Sequence, residues 1–159
     1  MRRRHSRRES ETVKPRIVVI DDELAVCDLL GKVLTRAGFE VDVAQTGEAG
    51  LALFDGADIA CLVVDKLLPS MTGLEVMSAV RRRFPRTAIV LMTAHPEPLS
   101  LDAERPEVVL VKPFKNLAAI EDAVREAMDA AERSTPLTLL RDRVVAVVSE
   151  ISPIRRKRD

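Results

Sequence analysis

Long apolar runs are missing from this 159-residue chain. The longest extends only from Ile59 to Val64, whereas a membrane-spanning helix needs about 20 consecutive apolar residues. The first ten residues, MRRRHSRRES, are basic, but they are not followed by the apolar stretch that a secretory signal carries. We therefore expect a soluble protein that is located in the cytoplasm.

Cysteine is scarce, and the usual motifs of paired cysteines are absent. The two cysteines, Cys27 and Cys61, lie in apolar stretches and form no C-x-x-C pattern. We interpret them as buried thiols in a reducing compartment, rather than as a disulfide or a metal-binding pair.

The formal net charge is zero, but the charges are unevenly distributed. Residues 1–8 contain five arginines and no acid, and residues 155–159 contain three arginines, one lysine and one aspartate. Residues 9–154 therefore hold 16 basic and 24 acidic residues. We predict two solvated, disordered basic tails, at 1–14 and 153–159. Contact of these tails with nucleic acid or anionic lipid is the alternative.

Residues 15–133 alternate short β-branched runs with segments whose apolar residues have helical spacing. The predicted strands are 16–20, 39–44, 58–64, 87–92 and 108–111, and the predicted helices are 23–37, 46–55, 73–84 and 115–133. This alternation predicts βαβ units and a parallel sheet covered on both faces. Between the last two strands, Pro98 and Pro106 leave room for at most two helical turns.

Polar side chains follow the apolar strands where each strand ends. They are Asp21, Asp22, Asp65, Thr93 and Lys112. Each has an ordinary explanation when it is considered alone, such as a helix cap, an Asx turn or a surface lysine. In an open parallel sheet, however, ligands bind outside the carboxyl ends of the strands. The joint placement of the five residues therefore favours a single site.

The chemistry of this set points to a metal ion and a phosphoryl group. Carboxylates packed together raise one another's pKa, and a divalent cation removes that penalty. Mg²⁺ binds one or two carboxylates and also accepts phosphate oxygens. A carboxylate beside Mg²⁺ can attack phosphorus to form an aspartyl phosphate, and Lys112 and Thr93 can bind the transferred oxygens.

Four motifs occur in the order and close to the spacing of a known family. They are VIDD (19–22), VVDKLLPSMTG (63–73), LMTA (91–94) and VKPF (111–114). With them the chain resembles the receiver domain of two-component response regulators over roughly residues 15–133. The resemblance implies an α/β, flavodoxin-like doubly wound sheet of five parallel strands in the order 2-1-3-4-5, with helices on both faces.

The resemblance also implies a role for each site residue. Asp65 would be the phosphoacceptor and would receive a phosphoryl group from a histidine kinase or a phosphotransfer protein. Thr93 and Lys112 would contact that phosphoryl group. The implied Mg²⁺ ligands are Asp21 through water, Asp22, Asp65 and the backbone carbonyl of Leu67. Such a module is not an enzyme acting on an outside substrate, and its downstream protein partner is not named by the sequence.

The chain departs from the family pattern at residue 109 and in the segment from Thr93 to Lys112, which looks about three residues short. Receivers usually carry Tyr or Phe three residues before the lysine, and here that residue is Val109. This departure supports an alternative, a receiver-like protein-interaction module that phosphorylation does not switch. Leu67 stands where Mg²⁺-dependent phosphatases often have a second acid, which disfavours that class of enzyme.

We predict an extension helix over residues 134–152. It opens with Thr135 as a cap and Pro136 at the first helical position. Its apolar residues recur at a/d spacing, at Leu137, Leu140, Val144, Val147 and Ile151. It contains no helix-turn-helix, so we expect no DNA-binding domain. Three possibilities remain for residues 135–151: packing on the chain's own domain, pairing in a homodimer, or a strand, because its valines are poor helix formers.

Overall fold

The computed structural model of the chain describes residues 12–98 and 104–134. Three predicted segments lie outside these ranges. They are residues 1–11 of the N-terminal tail, the C-terminal tail, and the extension helix apart from Ser134. Within them, five strands and four helices follow one another. The strands are β1 (Arg16–Ile20), β2 (Glu40–Ala44), β3 (Ile59–Asp65), β4 (Ala88–Thr93) and β5 (Val108–Val111). The helices are α1 (Leu24–Arg36), α2 (Gly47–Ala52), α3 (Gly73–Arg83) and α4 (Leu117–Ser134).

The five strands form one parallel sheet in the order β2-β1-β3-β4-β5. This confirms the predicted flavodoxin-like topology. The inner strands β1, β3 and β4 are almost wholly buried and apolar, as expected for parallel strands covered on both faces. The edge strand β2 has the sequence EVDVA and alternates charged with apolar residues.

Two apolar layers fill the space between the sheet and the helices. Because side chains alternate along a strand, Ile17 and Val19 of β1 point into one layer, and Val18 and Ile20 point into the other. Helices α1 and α4 cover the first layer. Helix α3, together with residues of α2, covers the second. Both cysteines are buried free thiols, as predicted, and burial raises the pKa of each.

Helix α3 begins with a capping box, which fixes the loop between β3 and this helix. The hydroxyl of Thr72 accepts a hydrogen bond from the Glu75 N–H at 3.2 Å. In return, the Glu75 carboxylate accepts from the Thr72 N–H at 2.8 Å. Two of the helix's orphan backbone donors are thereby satisfied.

Replacing Thr72 by alanine should lower the free energy of unfolding by about 1 kcal/mol, because the first turn of α3 loses its side-chain acceptor. The measurement is chemical denaturation of the two proteins side by side. Thr72→Ser is the matched control, since it keeps the hydroxyl and should retain most of the stability. Equal losses in both variants would contradict the capping argument.

Candidate functional site

The predicted site residues meet at the carboxyl edge of the sheet. Asp21 directly follows β1, Asp65 ends β3, Thr93 ends β4 and Lys112 directly follows β5. In the strand register, Asp65 lies opposite Met92 and Thr93 lies opposite Val111. Neighbouring strands therefore end at the same level, and their last side chains face a common space.

The three aspartates form a compact acidic cluster. One carboxylate oxygen from each of Asp21, Asp22 and Asp65 lies within 4.8 Å of the other two. Asp21 and Asp65 are buried, whereas Asp22 is exposed. Asp21 is held by its neighbours, because its carboxylate accepts from the Glu23 N–H at 2.9 Å and its own N–H donates to the Ala44 carbonyl at 3.1 Å.

Lys112 bridges two of these aspartates. Its ammonium donates to Asp21 Oδ2 at 2.6 Å and to Asp65 Oδ2 at 3.2 Å. Burial lowers the pKa of Lys112, but the hydrogen bonds and charges of Asp21 and Asp65 more than offset this, so its pKa lies above the ordinary value. The side chain therefore places a permanent positive charge beside Asp65.

Thr93 reaches the same edge, but its hydroxyl is bonded elsewhere. The side chain is buried. Its Oγ1 donates to the His95 carbonyl at 2.9 Å and accepts from the His95 N–H at 3.1 Å. These bonds close a tight turn at the start of the β4–β5 connection. For Thr93 to donate to a group on Asp65, the bond to the His95 carbonyl has to break.

Leu67 lies in the β3–α3 loop at the mouth of the site. Its N–H donates to Asp65 Oδ1 at 3.3 Å, and its side chain is 67% exposed. The loop is held at both ends: the Lys66 N–H donates to the Met92 carbonyl at 2.8 Å, and the Gly73 N–H donates to the Lys66 carbonyl at 3.0 Å. The role of the Leu67 carbonyl as a metal ligand stays a prediction.

The donor set suits a hard divalent cation. Three carboxylates from two strand ends present oxygen ligands within a span of 4.8 Å, and Mg²⁺ prefers oxygen ligands and needs only one or two carboxylates. The cluster lacks the thiolate and imidazole ligands that zinc prefers. The residues therefore fit Mg²⁺ by the chemistry of their ligand atoms.

Sequence reasoning missed two residues that support the acidic cluster. Cys27 Sγ donates to the Asp21 carbonyl at 3.2 Å, and Gln45 Nε2 donates to the Asp22 carbonyl at 3.3 Å. Gln45 follows β2, which is distant in sequence from Asp22 but adjacent in the sheet. No local pattern marks such a contact, because it depends on which strands are neighbours.

Comparison with known proteins agrees with this fold. Residues 17–125 match the response regulator receiver domain family, and the chain belongs to that family. It is 32% identical over 152 residues to the transcriptional regulatory protein FixJ of Bradyrhizobium diazoefficiens, a match that covers 92% of this chain and 72% of FixJ. It covers only 27% to 43% of the length of seven further curated regulators that it matches.

Two solved structures show the same architecture. One is the response regulator TrrA of Thermotoga maritima in complex with Mg²⁺-BeF, with 30% identity, a TM-score of 0.65, and coverage of 71% of this chain and 98% of TrrA. The other is the chemotaxis response regulator CheY4 of Vibrio cholerae, with 26% identity, a TM-score of 0.66, and coverage of 72% of this chain and 99% of CheY4. Within residues 12–98 and 104–134, no helix has the length and apolar content needed to cross a membrane.

Proposed function

We propose that this chain is a phosphorylation-controlled signalling module of a two-component or phosphorelay system, working in the cytoplasm. Asp65 would accept a phosphoryl group from a histidine kinase or a phosphotransfer protein. The observation that carries the proposal is the position of the Asp65 carboxylate, between two further acids and the Lys112 ammonium at the carboxyl edge of the sheet.

The proposed reaction is a direct phosphoryl transfer to Asp65. A carboxylate oxygen of Asp65 forms a bond to phosphorus while the bond from phosphorus to the donor's histidine nitrogen breaks, and the nitrogen keeps the electron pair. Mg²⁺ held by Asp22, Asp65, the Leu67 carbonyl and, through water, Asp21 would neutralise charge on the phosphoryl oxygens. Lys112 would leave its bond to Asp65 Oδ2 and bind another of these oxygens.

Thr93 would transmit the effect of phosphorylation from Asp65 to the loop after β4. A phosphoryl oxygen on Asp65 is a stronger acceptor than the His95 carbonyl that the Thr93 hydroxyl now binds. Turning the hydroxyl toward that oxygen would release the turn at His95 and shift the population of loop conformations after β4. We propose that a downstream protein partner senses this change on the surface near residues 94–133.

Intact-mass measurement after incubation with acetyl phosphate tests the acceptor chemistry. We expect the mass of one phosphoryl group to be added in the presence of Mg²⁺ and not in the presence of a chelator. The adduct should survive acid, be removed by base, and map to the peptide that contains Asp65. An adduct that forms equally well in chelator, or that maps to another residue, would contradict the proposal.

A second candidate function is a protein-interaction module that keeps the fold but is not switched. One observation favours it: residue 109 is a small, 44% exposed valine, so no aromatic side chain is available at this position to follow Thr93. The two candidates differ in a measurable way. For a switched module, the amide spectrum of residues beyond the site should change on phosphorylation, whereas for the alternative any change should stay local to Asp65.

The exposed side chain of Leu67 should set how fast the phosphate is lost. Leu67→Asn should shorten the half-life of the aspartyl phosphate several-fold, because an apolar side chain two residues after the acceptor would hinder the attacking water and an amide would not. The decay of the isolated adduct is followed by mass. Leu67→Ile keeps the apolar bulk and is the matched control, and an unchanged half-life in Leu67→Asn would refute this role.

A further inference from the structure

The backbone of the acidic pair, Asp21 and Asp22, is held by side chains from two other elements. The Cys27 thiol of α1 donates to the Asp21 carbonyl at 3.2 Å, and the Ala44 carbonyl is a second acceptor at 3.8 Å. Gln45, which follows β2, donates to the Asp22 carbonyl at 3.3 Å. Each carbonyl of the pair is therefore bonded to a side chain that lies outside the acidic cluster.

Burial makes the bond from Cys27 the more consequential of the two. Gln45 is exposed, so water can replace its amide at the Asp22 carbonyl. Asp21 is 0% exposed and Cys27 is 1% exposed, so water has no access to the Asp21 carbonyl. A buried carbonyl left without a donor is costly. The backbone would therefore have to shift if the thiol were removed.

The Asp21 carbonyl matters for the metal site because it belongs to the peptide that joins the two acids. A peptide unit is planar, so the donor at this carbonyl also fixes the direction in which Asp22 leaves the backbone. The rest of Asp21 is already held. Its N–H donates to the Ala44 carbonyl, and its carboxylate accepts from the Glu23 N–H and from Lys112. The thiol bond therefore sets the orientation of Asp22 relative to an anchored Asp21.

The other buried thiol lies in a different environment. Cys61 in β3 is 0% exposed and donates to the carbonyl of the next residue, Leu62, at 3.7 Å. Among the described residues, the apolar layer beneath α1 and α4 includes Cys61, whereas neither apolar layer includes Cys27. The two cysteines are thus equally buried, but Cys61 lies in the apolar core and Cys27 lies against the backbone of the acidic pair.

We propose that Cys27 is a positioning residue for the Mg²⁺ site, an inference that rests on the proposed function. Its thiol holds the peptide between Asp21 and Asp22, so that the two carboxylates lie in the metal-binding arrangement before the ion arrives. Residues that orient metal ligands typically contribute roughly 10- to 100-fold in metal affinity. Because a thiol is a weak hydrogen-bond donor, we expect an effect at the lower end of this range.

Titration of the full chain with Mg²⁺, without a phosphoryl donor, tests this role, and the amide spectrum gives the dissociation constant. Cys27→Ala and Cys27→Val both remove the donor. The valine keeps apolar volume at the site, so the test does not depend on a single variant folding. Cys27→Ser keeps a donor and is the rescue variant. Cys61→Ala removes an equally buried thiol and is the matched control, and chemical denaturation reports the stability of every variant.

We expect the dissociation constant for Mg²⁺ to rise about tenfold in Cys27→Ala and Cys27→Val, and to stay within about twofold of the unaltered chain in Cys27→Ser. Cys61→Ala should leave the constant unchanged, even where its denaturation midpoint falls as far as that of Cys27→Ala.

Three results would overturn the role of Cys27 alone. They are an unchanged constant in both variants that lack the donor, an equal rise in Cys61→Ala, and a Cys27→Ser variant that binds Mg²⁺ as weakly as Cys27→Ala. A fourth result, no response of the unaltered chain to Mg²⁺, would overturn this role together with the proposed function.

Discussion

Replacing Asp65 by asparagine should abolish formation of the phosphoryl adduct under conditions in which the unaltered chain is fully modified. The amide of asparagine is a far weaker nucleophile than a carboxylate, and it removes one of the three charges that would hold Mg²⁺. Neither Asp21 nor Asp22 should take over, because each is anchored at the end of β1 rather than at the end of β3. The measurement is intact mass after acetyl phosphate and Mg²⁺.

The matched control lies at the opposite end of the same strand. Asp58 directly precedes β3 and is exposed, so Asp58→Asn changes the net charge equally but leaves the carboxyl edge untouched. We expect full modification in this variant. Persistence of the adduct in Asp65→Asn would show that another residue is the acceptor and would refute the assignment of Asp65.

The same substitution should leave the fold intact. Lys112 loses its 3.2 Å contact to Asp65 but keeps the 2.6 Å contact to Asp21. Removing one carboxylate also relieves the repulsion within the acidic cluster. We therefore expect the melting temperature of Asp65→Asn to equal or exceed that of the unaltered chain. A loss of the adduct together with unfolding would say nothing about the acceptor, so both quantities are measured on the same sample.

The sequence allowed prediction of features with a local signal. Helix α3, predicted over 73–84 from the helical spacing of its apolar residues, extends from Gly73 to Arg83. The strand order was predictable because four motifs matched a family whose topology is known. The convergence of Lys112 with Asp21, 91 residues apart in sequence, followed from that order and from the rule that parallel strands end at a common edge.

Contacts between elements that are distant in sequence could not be predicted from local sequence patterns. Glu107 is an example: its carboxylate accepts from the backbone N–H of Ile89 in β4 at 2.6 Å and also pairs with Arg81 at the end of α3. This side chain therefore ties the start of the short strand β5 to β4 and α3. In the sequence, Glu107 follows a proline in a polar stretch, and nothing there distinguishes it from a solvated acid.

The conformation of Thr93 was unpredictable for a different reason. The motif LMTA identifies the residue but not the partner of its hydroxyl, and a threonine can bond either its own turn or a ligand. The structure has it bonded to the backbone of His95. A sequence pattern is the same in both states of a switch, so it cannot distinguish between them.

Adding a single methyl group at Gly73 should be severely destabilising. A Cβ on this residue would lie 2.1 Å from the carbonyl oxygen of Asp65, 2.8 Å from its carbonyl carbon and 2.9 Å from Cα of Lys66. All three atoms belong to the backbone, so no side-chain rotation can relieve the overlap. Either the first turn of α3 or the end of β3 must move. We expect Gly73→Ala to lower the free energy of unfolding by about 3 kcal/mol.

Gly31→Ala is the matched control, because it adds the same methyl group to a helix where there is space. The nearest atom to a Cβ at Gly31 in α1 is a methyl of Val43 at 3.9 Å, an ordinary contact. Alanine is the better helix former by about 1 kcal/mol, so this variant should be as stable as the unaltered chain or more stable. Chemical denaturation measures both variants, and equal stability of the two would contradict the packing of α3 on Asp65.

The atoms displaced in Gly73→Ala include the backbone of Asp65 itself. The folded fraction of that variant should therefore also form the phosphoryl adduct more slowly, whereas Gly31→Ala should form it at the normal rate.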